Sequence, residues 1–211
     1  MSVIFDLDGT LIDSAPDIHG AVNHMLRDVG VEPLTMVEVR SFIGNGVRVL
    51  VQRVMDARGL TAPHPDLLAR FLLHYNAAPA VLTLMYPGVR AALVTLRDFG
   101  HPLGICTNKP EATTRMILQA FDLEQFFISV IGGDTLPVHK PDPAPLLSAC
   151  AALGGDCVFV GDSEVDAETA VRAGVPFVLF TQGYRRGPVE AAAQFADYAA
   201  LPGVLLGMAG V

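Results

Sequence analysis

Val3-Ile4-Phe5-Asp6-Leu7-Asp8-Gly9-Thr10 is the stretch from which the rest of the chain can be read. Three apolar residues in a row run directly into two aspartates, a glycine and a threonine. An apolar run without alternation has the pattern of a strand buried on both faces. In extended chain, residues two apart point the same way, so Asp6 and Asp8 would be presented together at the strand's carboxyl end.

The same kind of run recurs at Leu103-Gly104-Ile105-Cys106, Ile128-Ser129-Val130-Ile131, Cys157-Val158-Phe159-Val160 and Phe177-Val178-Leu179-Phe180. Helical patterns lie between the runs, over Val89 to Phe99, Glu111 to Phe121, Pro143 to Leu153 and Val165 to Ala173. Gly100, Gly154 and Gly174 stand where helices would stop. Strand–helix alternation predicts an α/β fold with a doubly wound, parallel, Rossmann-like sheet. The stretch 15–81 breaks the alternation. Ile18, Val22, Met25, Leu26 and Val29 recur at helical spacing, as do Val47, Leu50, Val51 and Val54, and then Leu67, Leu68, Phe71, Leu72 and Tyr75. The expectation is a Rossmann-like core of residues 1–14 and 82–211 interrupted by a small all-helical domain, 15–81. Turn-rich Ser14-Ala15-Pro16 and Tyr86-Pro87-Gly88 would serve as hinges.

Composition excludes several classes of function. A formal charge of −8 argues against nucleic acid, which needs a basic face. No apolar stretch is long enough to cross a bilayer, and the N-terminus has neither a basic nor a long apolar segment of signal type, so a cytoplasmic protein without membrane partners is expected. Cys106, Cys150 and Cys157 have no ligand-like spacing and read as reduced, buried thiols. Lysine is scarce: of fourteen basic residues only Lys109 and Lys140 are not arginine. A lysine kept against that bias can act as a compact point charge, which arginine cannot.

Ligands of open parallel sheets bind at the carboxyl ends of the strands. The residues there are Asp6, Asp8, Gly9 and Thr10, then Thr107, Asn108 and Lys109, then Gly161, Asp162, Ser163 and Asp166, with Lys140 in a Pro-rich loop. Each aspartate alone is as well explained as a helix cap or turn former; their common location gives them weight. Crowded carboxylates repel unless a cation neutralises them, and hard oxygen donors favour Mg²⁺. Such a cation would let a phosphate approach a nucleophilic carboxylate, with Lys140, Thr107 and Asn108 binding the other phosphoryl oxygens. One of Asp6 and Asp8 can then attack phosphorus while the other handles a proton.

Asp6-Leu7-Asp8-Gly9-Thr10, Cys106-Thr107-Asn108-Lys109, Lys140-Pro141 and Val160-Gly161-Asp162-Ser163-Glu164-Val165-Asp166 resemble, in order and spacing, the four motifs of haloacid dehalogenase superfamily phosphatases. The helical stretch sits where that family carries a mobile cap governing specificity. The resemblance implies Asp6 as nucleophile and metal ligand, and Asp8 as general acid/base with its backbone carbonyl on the metal. It implies Thr107 and Asn108 as phosphoryl ligands and Lys140 as a bridge between phosphate and Asp6. Asp162 would bind Mg²⁺, and Asp166 would reach it through water or support it from behind. Lys109 stays open between a site role and a surface pair with Glu111.

In the helical stretch, Phe42-Ile43-Gly44-Asn45-Gly46-Val47-Arg48 places a Gly-rich turn before a helix, whose free N–H groups suit an anion. Gly44, Asn45, Gly46 and Arg48 are therefore candidate substrate ligands. This segment and Gly183-Tyr184-Arg185-Arg186 resemble the phosphoglycolate phosphatase branch, which implies 2-phosphoglycolate as substrate; the Arg185-Arg186 pair itself reads more readily as a solvated face. The alternatives are a β-phosphoglucomutase-like phosphomutase, which would use the same aspartates, or a phosphatase for a sugar phosphate, nucleotide or pyrophosphate. A dehalogenase has no use for Asp8, and a phosphate-sensing protein has none for a nucleophile beside a proton shuttle. His19, His24, His64, His74 and His101 lack paired spacing and are assigned to no metal. The expected partner is a small phosphorylated molecule, and the expected state a monomer or homodimer.

Overall fold

The computed structural model describes residues 1–60 and 66–208, so His64 lies outside the described residues. The chain runs β1 (Ser2–Phe5), β2 (Ile12–Asp13), α1 (Ala15–Asp28), α2 (Met36–Phe42), α3 (Val47–Ala57), α4 (Leu67–Ala77), β3 (Leu84–Met85) and α5 (Val89–Asp98). It continues β4 (Leu103–Cys106), α6 (Glu111–Ala120), β5 (Ser129–Ile131), α7 (Ala144–Leu153), β6 (Cys157–Gly161), α8 (Glu164–Ala173), β7 (Phe177–Phe180), β8 (Ala193–Phe195) and α9 (Leu201–Met208).

Six strands form one parallel sheet in the order β5-β4-β1-β6-β7-β8. Strand residues alternate between its faces. Val3, Phe5, Val158, Val160, Val178 and Phe180 pack on one face with residues of α5, α6 and α9. Ile4, Phe159, Phe177 and Leu179 pack on the other with residues of α7 and α8. Both faces are covered, which is why these strands read as unbroken apolar runs. The glycines marked as helix stops, Gly100, Gly154 and Gly174, all have positive φ, a conformation L side chains resist.

The edge strand β8 and helix α9 went unread in the sequence. Ala193-Gln194-Phe195 buries only Phe195 fully and shows no apolar run, as expected of a strand with one open edge. A two-stranded antiparallel pair, β2 with β3, ties the chain where it leaves the sheet to the chain where it returns. Between them, α1 to α4 bury Val22, Met25, Leu26, Val39, Val54 and Phe71 in a cluster of their own. α2 begins with a capping box, Thr35 receiving the Glu38 N–H while the Glu38 carboxylate accepts from the Thr35 N–H.

At the crossing between α1 and the returning chain, the buried Asp17 carboxylate accepts from the Thr83 N–H and hydroxyl at 2.7 Å and from the Leu82 N–H at 3.0 Å. Cys106 and Cys157 are buried thiols, but Cys150, read from the sequence as buried, is only partly so. No helix among the described residues is long and apolar enough to cross a membrane.

Candidate active site

Asp6 leaves the carboxyl end of the central strand β1 and is buried. Gly9, at φ +85°, turns the chain back so that its N–H donates to Ile12 O at 2.8 Å. That turn carries Thr10 beneath the neighbouring strand's loop, where its hydroxyl donates to Asp162 Oδ1 at 2.8 Å. The other Asp162 oxygen accepts the Tyr184 N–H at 2.6 Å. A Cβ on Gly9 would lie 2.4 Å from Asp162 Oδ2, and one on Gly183 would lie 2.3 Å from Asp162 Cβ. Two backbones thus close directly on this carboxylate, and only glycine fits at either place.

Asp166 is positioned by local sequence. Ser163 caps α8, and Asp166, three residues on, completes a capping box. Its Oδ2 accepts from the Ser163 hydroxyl at 2.6 Å and from the Ser163 and Asp162 N–H groups. Its Oδ1 accepts from Lys140 Nζ at 2.6 Å. The same ammonium stands 2.9 Å from Asp6 Oδ1, but off the direction of a hydrogen bond, so that oxygen has no hydrogen-bond partner among the described residues. Lys140 is 2% exposed, so the charge the sequence singled out is wholly inside.

The electrostatics follow from one cation set among three acids. Oxygens of Asp6, Asp162 and Asp166 lie within 4.8 Å of one another. Burial pushes the Asp6 carboxyl up to about 6, with Lys140 opposing and Asp166 adding to the rise. Burial also raises Asp162 well above the usual carboxylate range, helped by the charges of Asp166 and Asp6. Burial alone would lower Lys140; Asp166 and Asp6 more than reverse it and hold it charged. Lys140 sits closer to Asp166 than to Asp6, which leaves Asp6 under-compensated. Three carboxylates against one ammonium leave two negative charges in a buried space. Oxygen donors only, an orphaned Asp6 oxygen and that surplus fit a hard divalent cation.

Asp8 is held differently. Its Oδ1 accepts from the Ser14 hydroxyl at 2.5 Å, and its Oδ2 from Lys109 Nζ at 2.8 Å. Asp8 is therefore outside the carboxylate trio but opens into the same cavity as Asp6, together with Thr107, Asn108, Gly44 and Gly46. Lys109 is buried, not on the surface; Glu111 pairs with Arg115 and the Thr135 hydroxyl instead. Asp8 and the Tyr75 hydroxyl outweigh burial and raise the Lys109 ammonium above its ordinary range. Tyr75 comes from α4 and meets Lys109 at 2.8 Å; the sequence marked it only by its helical spacing.

Thr107 and Asn108 follow β4 and are buried. The Asn108 amide donates to Gly44 O at 3.0 Å and to Lys140 O at 2.9 Å, so its N–H groups are spent on the protein. The Gly-rich turn thus meets the sheet through the Gly44 carbonyl, and Gly44 and Gly46 line the cavity. Arg48 does not join the site. Val47 and Leu50 line the cavity, whereas Arg48 is exposed, a turn of about 100° round the helix from Val47. The basic residue that does reach the turn is Arg53, which donates to Asn45 Oδ1 and Phe42 O at 2.9 Å. Arg185 and Arg186 are both exposed, and Arg186 lines a second, narrower opening with Asp6, Asp162 and Gly44. Tyr184, quoted in the sequence without a role, donates to Asp13 Oδ1 at 2.6 Å and faces the Arg40 guanidinium at 4.8 Å.

Residues 3–180 match the profile described as haloacid dehalogenase-like hydrolase. A phosphoglycolate phosphatase of Cereibacter sphaeroides is 55% identical over 89% of this chain and 88% of its own length. One from Rhodobacter capsulatus is 42% identical over 98% and 97%. A crystal structure titled as a predicted phosphoglycolate phosphatase from Haemophilus somnus superposes with a TM-score of 0.91 at 32% identity, covering 97% of each chain.

Proposed function

The chain belongs to the haloacid dehalogenase-like hydrolases and is a phosphatase, and we propose that it hydrolyses 2-phosphoglycolate through an aspartyl-phosphate on Asp6, with Mg²⁺ as cofactor. In this reading residues 1–14 and 82–211 are the catalytic core and 15–81 the cap that selects the substrate. The observation that carries it is the division of labour between two aspartates in one cavity. Asp6 sits in a buried acid trio with surplus negative charge, while Asp8 stands apart on its own cation.

Asp6, Asp162 and the Asp8 carbonyl would hold Mg²⁺, with Asp166 supporting them from behind. When bound, the cation supplies charge neutralisation that lets a phosphate dianion approach a carboxylate. Asp6 attacks phosphorus, and the bond to the leaving alkoxide breaks. Asp8 gives that alkoxide a proton, then takes one from the water that hydrolyses the aspartyl-phosphate. Lys140 keeps Asp6 oriented and faces the phosphoryl oxygens, joined by Thr107 and the Asn108 backbone. The cavity is small, about 60 Å³, and its far wall is apolar, which favours a compact ester over a nucleotide.

A substrate screen tests the assignment: phosphoglycolate should outrank sugar phosphates, nucleotides and pyrophosphate in kcat/KM. Asp6→Asn should abolish turnover of every substrate, and Asp8→Asn should leave binding largely intact. Near-normal turnover by Asp6→Asn with Mg²⁺ present would overturn the covalent route.

A further inference from the structure

Resting on the phosphoglycolate reading, we infer that Lys109 and Tyr75 form the subsite for the substrate's carboxylate, beside Asp8 where α4 meets the cavity. The cavity that opens onto Asp6 and Asp8 is lined on the α1–α4 side by the apolar side chains of Ile18, Ile43, Val47, Leu50, Phe71 and Leu72, with Gly44 and Gly46 between them. Lys109 is the one cation among its lining residues. A second anionic group carried into it by a substrate meets no other positive charge among those lining residues, Arg186 lying at the separate narrow opening, and an apolar wall penalises an unpaired carboxylate.

Donor accounting points the same way. An ammonium has three N–H donors and a phenol has one O–H. Lys109 Nζ spends one donor on Asp8 Oδ2 and one on Tyr75 Oη, both at 2.8 Å. The third has no acceptor among the described residues. Tyr75 Oη accepts from Lys109, and its own O–H likewise has no acceptor among them. Two unspent donors from adjacent groups match the two oxygens of one carboxylate. Burial and the Lys109 contact already hold both groups in place, so little side-chain freedom is lost on binding.

The arrangement also gives the helical domain a direct part in choosing the substrate. Tyr75 lies on α4 and Lys109 on the loop after β4, so the subsite is complete only when α4 rests against that loop. Thr113 Oγ1 donating to Asn76 Oδ1 at 3.0 Å ties α4 to the first turn of α6, which follows that loop. An ester with no carboxylate leaves these donors unanswered. Arg48, the sequence's candidate for this task, is not needed.

The test is a ratio. Wild type, Lys109→Met, Lys109→Gln and Tyr75→Phe are assayed with 2-phosphoglycolate and with ethyl phosphate, which is close in size but uncharged at its far end. The ratio of the two kcat/KM values cancels any loss that arises through Asp8, because that loss is common to both esters. Removing a charged hydrogen-bonding partner should lower the ratio about 10- to 100-fold in either Lys109 variant and about threefold or more in Tyr75→Phe. Lys109→Gln retains a donor without charge and serves where Lys109→Met does not fold. A wild-type ratio well above one that the Lys109 variants preserve overturns the subsite while leaving the phosphoglycolate assignment standing. A wild-type ratio near one overturns both.

Discussion

Replacing Lys140 by Met puts the charge argument to its hardest test. The ammonium is fully buried, 2.6 Å from Asp166 and 2.9 Å from Asp6, with Asp162 in the same cluster. Lys140→Met keeps most of the volume and removes the only positive charge in contact with these acids among the described residues. Breaking one partner out of a buried ion pair costs about 3–5 kcal/mol. For a chain of this size that is a melting-temperature loss of roughly 6–20 °C. The acids can relieve it only by binding protons. An unfolded aspartate titrates near 3.9, whereas wild-type Asp6 is held up to about 6. The folded site therefore keeps a proton that the unfolded chain has released, and stability of the metal-free protein falls as pH rises from about 4 to about 6. In Lys140→Met the decline should be steeper and extend to higher pH. Excess Mg²⁺ should restore part of the lost stability, while turnover stays down about 10²–10³-fold for want of the phosphoryl-facing charge. Urea denaturation at pH 5 and pH 7.5, with EDTA or Mg²⁺, reads all of this. A metal-free destabilisation under about 1 kcal/mol at pH 7.5, or one that grows as pH falls, refutes the reasoning.

Asp17→Ala should cost about 2–5 kcal/mol in urea denaturation, because the buried Thr83 N–H and hydroxyl and the Leu82 N–H lose their acceptor; a loss below about 1 kcal/mol would show that water replaces it. Gly183→Ala should weaken Mg²⁺ binding about 10- to 100-fold by calorimetric titration, since its Cβ would lie 2.3 Å from that of Asp162; unchanged affinity would remove Asp162 from the metal's ligands. Arg48→Ala should leave KM for phosphoglycolate within about twofold, as an exposed residue outside the cavity; a tenfold rise would restore it to the site.

Much of this protein was legible in one dimension, and for definite reasons. A parallel strand buried on both faces must be apolar at every position, so β1, β4, β5, β6 and β7 announce themselves. Ligand sites in such sheets lie at the strands' carboxyl ends, so Asp6, Thr107 and Asp162 could be picked by position. Asp166 was readable because its placement is local: a Ser-to-Asp capping box four residues long orients it. β8 and α9 were not readable, since a short edge strand carries no unbroken apolar run.

Pairings between distant segments were decided only by the tertiary structure. Lys140 meets Asp166 across 26 positions, Lys109 meets Asp8 across 101 and Tyr75 across 34. The scarcity of lysine flagged both cations, yet nothing local told a surface lysine from one locked between a carboxylate and a phenol. The Gly-rich turn was visible, but which way it faced was not. Helix phase sends Arg48 outward, and the Asn108 amide takes the Gly44 carbonyl. Asp6 and Asp8, two residues apart, look alike in sequence. The fold makes one a carboxylate short of positive charge and the other half of an ion pair, because electrostatic character depends on what packs around a group and not on its neighbours along the chain.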